Sequence, residues 1–568
     1  MSTPDPLVVG ALSDVLYPPA SRHLHVHWRK LVGTAAFAHP EGLSHQERVH
    51  RSYRLLHEVN ESLADVEGFA ADAEQLAAMH EWTAPVDGGL TTVAGIHYNL
   101  FLGSVLDLAP DRDLTEFIDL RRTGTFLCTE LAHGNNAARL ETTATHDPAT
   151  GGFVLHTPHR GAAKFMPNTG PEGGAKSGLV AARLLVDGED HGVHLFLVPL
   201  RDDQGLRPGV SVEALPETLT SPVDHCVTGF DQVRLPPSAL LGAFPSGRSA
   251  GTGRQRFLRA IGRVTPGKLC MSACGVGVAK TAVTIAMRHA HSRHTAGLTP
   301  GTTVTLFEHR AHQTRLIDAV ATTYAATALH RYAVRRWVEA TPEDRPEAER
   351  LVAITKGWTT WRGRAVAIEC RERCGARGVF RAGGFGDPMA NLEGTITAEG
   401  DNLVIWAKAA GELALGWRPP ADSPAPQDMA DPGHLRRLLV GIERSWQRRA
   451  ARRLRDRAAP SPLSRWNNAV NPALELVDAH AHRLAADALL AMADEASRPA
   501  RALLRDVHRL FALRRIAAHD GLLLTAGLLT AEQADTLPDL IDDTIADLAP
   551  HALALVEAFG VPVAGLPH

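Results

Sequence analysis

The feature that most constrains this chain is a change of period partway along it. Between about residues 125 and 245, short apolar runs (Phe153 to His156, Leu179 to Val186, Val193 to Leu200) alternate with the turn signals Asp187-Gly188 and Arg207-Pro208-Gly209. That is the pattern of a small antiparallel β domain. On both sides the apolar residues recur three and four apart, in His45 to Ser62 before it and in Pro266 to His289, Leu306 to Val338 and Pro346 to Cys374 after it, which predicts helices long enough for a bundle. A proline-rich link from Trp417 to Pro426 cannot continue a helix and reads as a boundary. Beyond it Leu503, Leu504, Val507, Leu510 and Phe511 form one apolar stripe. The expectation is an α+β protein: an N-terminal helical domain over 1–124, a middle antiparallel β domain over 125–245, a helical bundle over 246–418 and an extra helical domain over 434–568. A chain of 568 residues has room for that many cores.

Charge and composition remove several function classes. Lys plus Arg number 59 against 63 Asp plus Glu, a net charge of −4, too balanced for an electrostatic nucleic-acid binder. The run Arg444 to Arg457 is interrupted by Asp456 and follows Glu443, so it reads as a solvated helix face. No apolar stretch reaches the roughly 20 residues of a membrane span, and the first residues lack the basic segment of a secretory leader. The terminal Val-Ala-Gly-Leu-Pro-His is not a peroxisomal Ser-Lys-Leu address. Together these predict a cytoplasmic protein with no nucleic-acid or membrane partner. Cys270/Cys274 and Cys370/Cys374 share helical faces, but neither pair belongs to a zinc ligand pattern, there is no HExxH, and no metal is expected.

Two glycine-rich stretches fall short of phosphate-binding motifs. Gly170 to Ser177 has Ala175 before Lys176 and the wrong glycine spacing for a P-loop. Cys274-Gly-Val-Gly-Val-Ala sits inside a helical pattern, not after a strand, and reads as close helix packing.

Other stretches are more specific when taken in order. Thr123-Gly-Thr-Phe-Leu-Cys-Thr-Glu-Leu-Ala-His-Gly-Asn-Asn, followed by Leu140-Glu-Thr-Thr-Ala-Thr-His-Asp-Pro, resembles the TELGHGSN…LETTATFDP pattern of acyl-CoA oxidases. Phe230-Asp-Gln-Val-Arg-Leu-Pro resembles their FDxVRxPR, and Ala282 to Arg293 resembles their IAIRYxxxRR helix. Glu369-Cys-Arg-Glu-Arg-Cys-Gly-Ala-Arg-Gly and Ala398-Glu-Gly-Asp-Asn resemble ECRxxCGGxGY and FEGDN. The resemblance covers most of the first 415 residues, and the helical tail looks like the additional domain of the oxidases.

That resemblance implies the acyl-CoA dehydrogenase/oxidase fold, FAD and α,β-desaturation of an acyl thioester. Glu399 matches the base that takes the α-proton, with a carboxyl pKa raised by an apolar setting. FAD takes the β-hydride, and O₂ reoxidises it to give hydrogen peroxide. Gly400 permits close backbone approach, where N–H groups polarise the thioester carbonyl. Thr129 matches a threonine bonded to the flavin ring, and Asn168 stands at a flavin-contacting position. Arg293 matches an arginine reaching the FAD pyrophosphate of a neighbouring subunit, which implies a homodimer. Gly375 and Gly378 match the pyrophosphate-approach loop. Asn402 is either near the cofactor or the N-cap of the helix that follows.

The copy also departs from the family. Lys164-Phe-Met-Pro-Asn-Thr replaces KWWPGG, Ala376 and Val379 alter CGGxGY, Ala398 replaces the phenylalanine before the base, and Asp224-His225-Cys226 replaces DNG. These changes suggest a divergent, bacterial-looking member acting on an unusual acyl group, with polar Asn168 and His225 ill-suited to a plain saturated chain. A dehydrogenase serving an electron-transfer flavoprotein, an enzyme acting on a carrier-protein-bound acyl group, and a flavin-free scaffold paralogue remain as alternatives.

Overall fold

The structure, a computed structural model, describes residues 4–38, 42–244, 253–418, 420 and 427–562. The expected border near residue 245, most of the link 417–426 and the terminal residues 563–568 lie outside them. Helices, then strands, then helices follow one another, the α+β order that the period change predicts. The chain forms two compact units, one of residues 1–33 with 271–568 and one of residues 34–270. This division differs from the expected N-terminal domain over 1–124, which is split at Gly33. The reason lies in the first helix, Pro6–Leu16, capped by Asp5. The Tyr17 hydroxyl that follows it donates to the Phe559 carbonyl at 2.8 Å, and the Lys280 ammonium lies 4.9 Å from the Tyr17 ring and 5.6 Å from that of Phe559.

In the unit of residues 34–270, the helix His45–Glu61 begins with a capping box between Ser44 and Glu47. The strands are β1 (Thr123–Leu127), β2 (Thr143–His146), β3 (Phe153–His156), β4 (Lys164–Phe165), β5 (Lys176–Val186), β6 (Glu189–Asp202), β7 (Gly205–Leu206), β8 (Val210–Ala214), β9 (Cys226–Phe230) and β10 (Val233–Leu235). One sheet runs β10-β3-β2-β5-β6-β7 with β1 also on β5, and a smaller one runs β4-β9-β8. The domain is not purely antiparallel, as the short strands suggested. β1 and β2 both pair parallel to β5, because the segments joining them are long enough to carry the chain back to the same end. Asp187 and Gly188, at φ +51° and +83°, make the β5–β6 hairpin turn that the sequence announces. Leu127, Leu155, Val180, Leu184, Phe196, Val198 and Phe230 build the core between the sheets' inner faces.

Two histidines tie this unit to pH. The backbone N–H of Gly124 in β1 donates to His97 Nδ1 at 3.0 Å, so that ring must stay neutral. Burial lowers His97 from 6.5 to about 3 and His80 from 6.5 to about 4. Above 6.5 both are neutral whether folded or not. Below it the unfolded chain binds protons that the folded unit refuses, so stability is lost on acidification, by about 1.4 kcal/mol per pH unit from each ring until about pH 4. Urea unfolding at about pH 7.5 and about pH 5.5 should show a lower midpoint at the acid value, and an unchanged midpoint would contradict this.

The other unit is helical: α1 (Val264–Ser292), which enters it from residue 271, α2 (Arg310–Val338), α3 (Arg345–Arg373), α4 (Gly386–Thr397), α5 (Asn402–Gly416), α6 (Pro432–Leu454), α7 (Pro462–Glu495), α8 (Arg498–Ala517) and α9 (Ala531–Leu548). Contrary to the sequence expectation, α1 is long and apolar enough to cross a membrane, but 89% of its apolar window is buried, as in a core helix. Its Gly275 is the close-packing glycine: a Cβ there would stand 2.8 Å from the Thr359 carbonyl of α3. On α6, Arg448, Arg449, Arg452 and Arg453 are exposed.

Candidate functional site

In the β-containing unit, Thr129 follows the end of β1. It is half-buried, and its carbonyl accepts from Phe165 N–H at 2.9 Å. Its hydroxyl has no hydrogen-bond partner among the described residues, so it is available to a ligand. The next residue explains why the segment is held. Glu130 is fully buried and paired with the equally buried Lys164 at 2.9 Å. Its carboxylate also accepts the N–H groups of Glu141 and Thr142 at 2.7 and 2.9 Å. Lys164 completes its shell with the Cys128 and Ala181 carbonyls at 3.2 and 2.7 Å. Burial pushes the Glu130 carboxyl up, but the Lys164 charge and these hydrogen bonds outweigh it and hold it below the usual carboxylate range.

Asn168 lies in the same unit. Its side chain is completely buried and committed at both ends: Oδ1 accepts from the Thr125 hydroxyl and Nδ2 donates to the Tyr53 hydroxyl at 3.0 Å. It belongs to a polar network in which Lys176 donates to Asp224 at 2.6 Å, to Tyr53 at 2.9 Å and to the Asn168 carbonyl at 2.8 Å. The Tyr53 hydroxyl in turn donates to Asp224 at 2.7 Å, and burial keeps it protonated by raising it far above its ordinary value. The Asn168 amide is thus engaged on both sides within the fold, which leaves one Nδ2 proton and the backbone N–H uncommitted. His225 Nδ1 lies 2.7 Å from the Met166 carbonyl. Lys176, from the glycine-rich stretch, opens a strand and not a helix.

Glu130, His133 and Glu141 form the one grouping of metal-type side chains among the described residues. Glu130 is already neutralised by Lys164, and Glu141 lies 2.9 Å from His133 and 3.1 Å from His159.

In the helical unit, Glu399 sits between α4 and α5, half-buried at φ +59° and followed by Gly400 at φ +97°. Glycine is needed at the second of these positions, and the first is a strained setting for a side chain that has to be aimed. Asp401, not Asn402, caps α5, accepting from Leu403 and Val404 N–H at 3.0 and 3.4 Å. Asn402 is completely buried against α3. The Thr360 hydroxyl gives its own proton to the Lys356 carbonyl at 2.8 Å, so it accepts from Asn402 Nδ2 at 2.9 Å. Asn402 Oδ1 is left buried without a hydrogen-bond partner.

Arg293 is exposed just beyond α1. Gly375 and Gly378 lie in the 3₁₀ turn Gly375–Val379 after α3, Gly375 at φ +56°. A Cβ on Gly378 would collide with the Arg371 carbonyl. These two regions come together around His289, which burial first, then the charges of Arg377 and Arg293, hold below its ordinary value. His289 Nδ1 and His312 Nε2 are buried atoms without a hydrogen-bond partner. Two guanidinium groups, orphaned imidazole nitrogens and a glycine backbone that admits no side chain suit a pyrophosphate. That is the chemistry of the FAD pyrophosphate.

Sequence reasoning missed Glu130, Tyr53 and Lys356. Glu130 stands inside the Thr-Glu-Leu motif quoted above, but nothing local marks its burial or its pairing with Lys164, and Tyr53 and Lys356 lie in helices without any motif. Burial pushes the Cys128 thiol up to about 11 and that of Cys374 up to about 12, which keeps both protonated near neutral pH.

Comparison with known proteins points the same way. Residues 262–414 match the family model described as acyl-CoA oxidase, C-alpha1 domain, and residues 442–564 match acyl-CoA oxidase. The peroxisomal acyl-coenzyme A oxidase 2 of Arabidopsis thaliana is 28% identical over 551 residues, covering 87% of this chain and 79% of that protein. An acyl-coenzyme A oxidase-like protein of Mus musculus is 28% identical over 67% of this chain, but the match spans only 61% of the mouse protein's length. Acyl-CoA oxidase 1 of Yarrowia lipolytica shares the fold, with a TM-score of 0.85 at 22% identity over 97% of this chain and 88% of that one. Acyl-CoA oxidase 2 of Caenorhabditis elegans, solved with FAD, ascaroside-CoA and ATP, does so with a TM-score of 0.84 at 20% identity over 100% and 92%. Two expectations are overturned. The oxidases from Arabidopsis, guinea pig and human are named peroxisomal, against a cytoplasmic location. These relatives are eukaryotic, so the bacterial-looking character finds no support.

Proposed function

We propose that this chain is an acyl-CoA oxidase, catalysing the α,β-desaturation of an acyl-CoA with transfer of the electrons to oxygen. The matches of residues 262–414 and 442–564 to acyl-CoA oxidase models and the likeness to the Arabidopsis and guinea-pig oxidases support this reading. FAD, when bound, supplies the hydride acceptor and the route to O₂, with hydrogen peroxide as the second product. The observation that carries the reading is the Ala398–Asp401 turn, which presents a half-buried carboxylate in a fixed left-handed conformation. Glu399 takes the α-proton at its carboxylate, a weak acid's proton that leaves only to a base already in place. Thr129 offers its hydroxyl to the flavin ring. Arg293 holds the pyrophosphate of a second copy, with Gly375 and Gly378 allowing close approach of the backbone. Asn402 supports the site from behind, its Nδ2 fixed on Thr360 of α3.

Peroxide and enoyl-CoA should form one for one when the purified protein is supplied with an acyl-CoA in air. Enoyl-CoA formed without peroxide, and only with an added electron-transfer flavoprotein, would contradict the oxidase assignment. Arg293→Ala should weaken FAD retention by roughly ten- to a hundredfold, the worth of one charge-assisted hydrogen bond, and shift the protein towards the monomer in gel filtration. A variant that keeps its flavin and its elution volume would refute this role.

A further inference from the structure

Lys356 lies in the middle of α3 with no exposed surface, and its ammonium donates to the carbonyls of Ile396 and Gly400 at 2.8 and 2.9 Å. Those two carbonyls bracket Glu399. Ile396 is in the last turn of α4, where helix carbonyls lack intrahelical partners and the helix dipole is negative. Gly400 is one residue past the carboxylate, at φ +97°. One buried cation thus ties the helix end before Glu399 to the backbone after it, across two consecutive left-handed residues that a free turn would not keep. The same stretch of α3 secures the start of α5, through Thr360 to Asn402 and through the Ile354 carbonyl, which accepts from Trp406 Nε1 at 3.2 Å. Gly357 is a glycine because a Cβ there would collide with the Trp406 indole. A buried lysine is costly unless it is well satisfied, and here two of the atoms that satisfy it are main-chain carbonyls of the turn that bears Glu399.

We propose that Lys356 is a positioning residue for the desaturation, holding the Ile396–Gly400 turn so that the Glu399 carboxylate is aimed at the α-proton. The proposal rests on Glu399 being the base. Lys356 acts through geometry, so its removal should slow proton abstraction while leaving cofactor and substrate binding in place.

Three variants of the full chain test it: Lys356→Met, Glu399→Gln and the two combined. Lys356→Met should keep its FAD-to-chain ratio and a KM within about threefold, and lose about 10- to 100-fold in the limiting rate of flavin reduction by acyl-CoA, the scale of a small misplacement of a reacting group. In the Glu399→Gln background the same change should alter the residual rate by less than about twofold, because there is no longer a base to aim. An unchanged rate in Lys356→Met, or an equal loss in both backgrounds, would overturn the proposal. Lys356→Gln, which keeps one donor, is read in the same way if the methionine variant does not fold. Amide hydrogen exchange across Ala398–Asp401 gives a readout independent of turnover: protection should fall in Lys356→Met, and unchanged protection would overturn the clamp. A wild-type protein whose flavin no acyl-CoA reduces would sink the assignment of the base, while the exchange result would still decide whether Lys356 holds the turn.

Discussion

Glu399→Gln should keep its fold and its FAD and reduce flavin two to four orders of magnitude more slowly than the wild type, roughly the worth of a positioned general base. The substitution is nearly isosteric, and the bonds that hold the turn run through the Ile396 and Gly400 carbonyls and the Asp401 cap, all of which it leaves in place. What it removes is the one property the proposed reaction demands there, a carboxylate oxygen able to take a proton. The α-hydrogen of a thioester is too weakly acidic to leave readily without a positioned base. Stopped-flow reduction under nitrogen measures the effect directly. Flavin bleaching at near wild-type rate in Glu399→Gln would show that the proton goes elsewhere.

Lys164→Met should destabilise the unit of residues 34–270 by about 3–5 kcal/mol, the usual cost of leaving a buried charge without its partner. The lysine is completely buried, and Glu130, 2.9 Å away, has no exposed side-chain surface either. Methionine fills much of the volume, so the loss is chiefly electrostatic. The pH dependence separates this from simple loss of packing. In the wild type the Glu130 carboxyl titrates below its ordinary value, so its contribution is present above the unfolded pKa and is lost as pH falls through the folded one. Without Lys164, burial is opposed only by the Thr142 and Glu141 N–H groups, so the carboxyl moves up from its wild-type position, giving a penalty at neutral pH that protonation relieves. The gap between variant and wild type in urea unfolding should therefore narrow from about pH 7 to about pH 4.5. A gap below about 1 kcal/mol, or one that does not change with pH, would contradict the ion-pair account.

The parts of this molecule that could be read from sequence are those governed by local rules. Helical period marked α1, α2 and α3 because each has an apolar face several turns long, and Asp187-Gly188 marked a hairpin because only such pairs take two left-handed residues cheaply. The parallel pairing of β1 and β2 with β5 was invisible, since short apolar runs carry no information about which strand lies beside which. The helix Pro6–Leu16 was grouped with its sequence neighbours because adjacency was the only guide, whereas Tyr17 and Phe559 meet across 542 residues. At the candidate site, motif order singled out Glu399, Arg293, Gly375 and Gly378, each carrying a distinctive local requirement. It did not show that the Asn168 amide also bonds Tyr53 and Thr125, residues distant in sequence. It also left Asn402 as a possible helix cap, a task that falls to Asp401 while Asn402 bonds Thr360. Lys356 escaped notice for the converse reason. A lysine in a helix reads as solvated, and only tertiary structure shows its ammonium enclosed by the turn it holds.

The most direct test of the central claim is an anaerobic titration of the purified, FAD-loaded protein with acyl-CoAs of different chain types, followed by admission of air. At least one acyl-CoA should bleach the flavin absorbance in stoichiometric amount, and air should then restore the colour with release of an equal amount of hydrogen peroxide. A protein that holds FAD but is bleached by no acyl-CoA, or that stays reduced in air, would contradict an acyl-CoA oxidase activity.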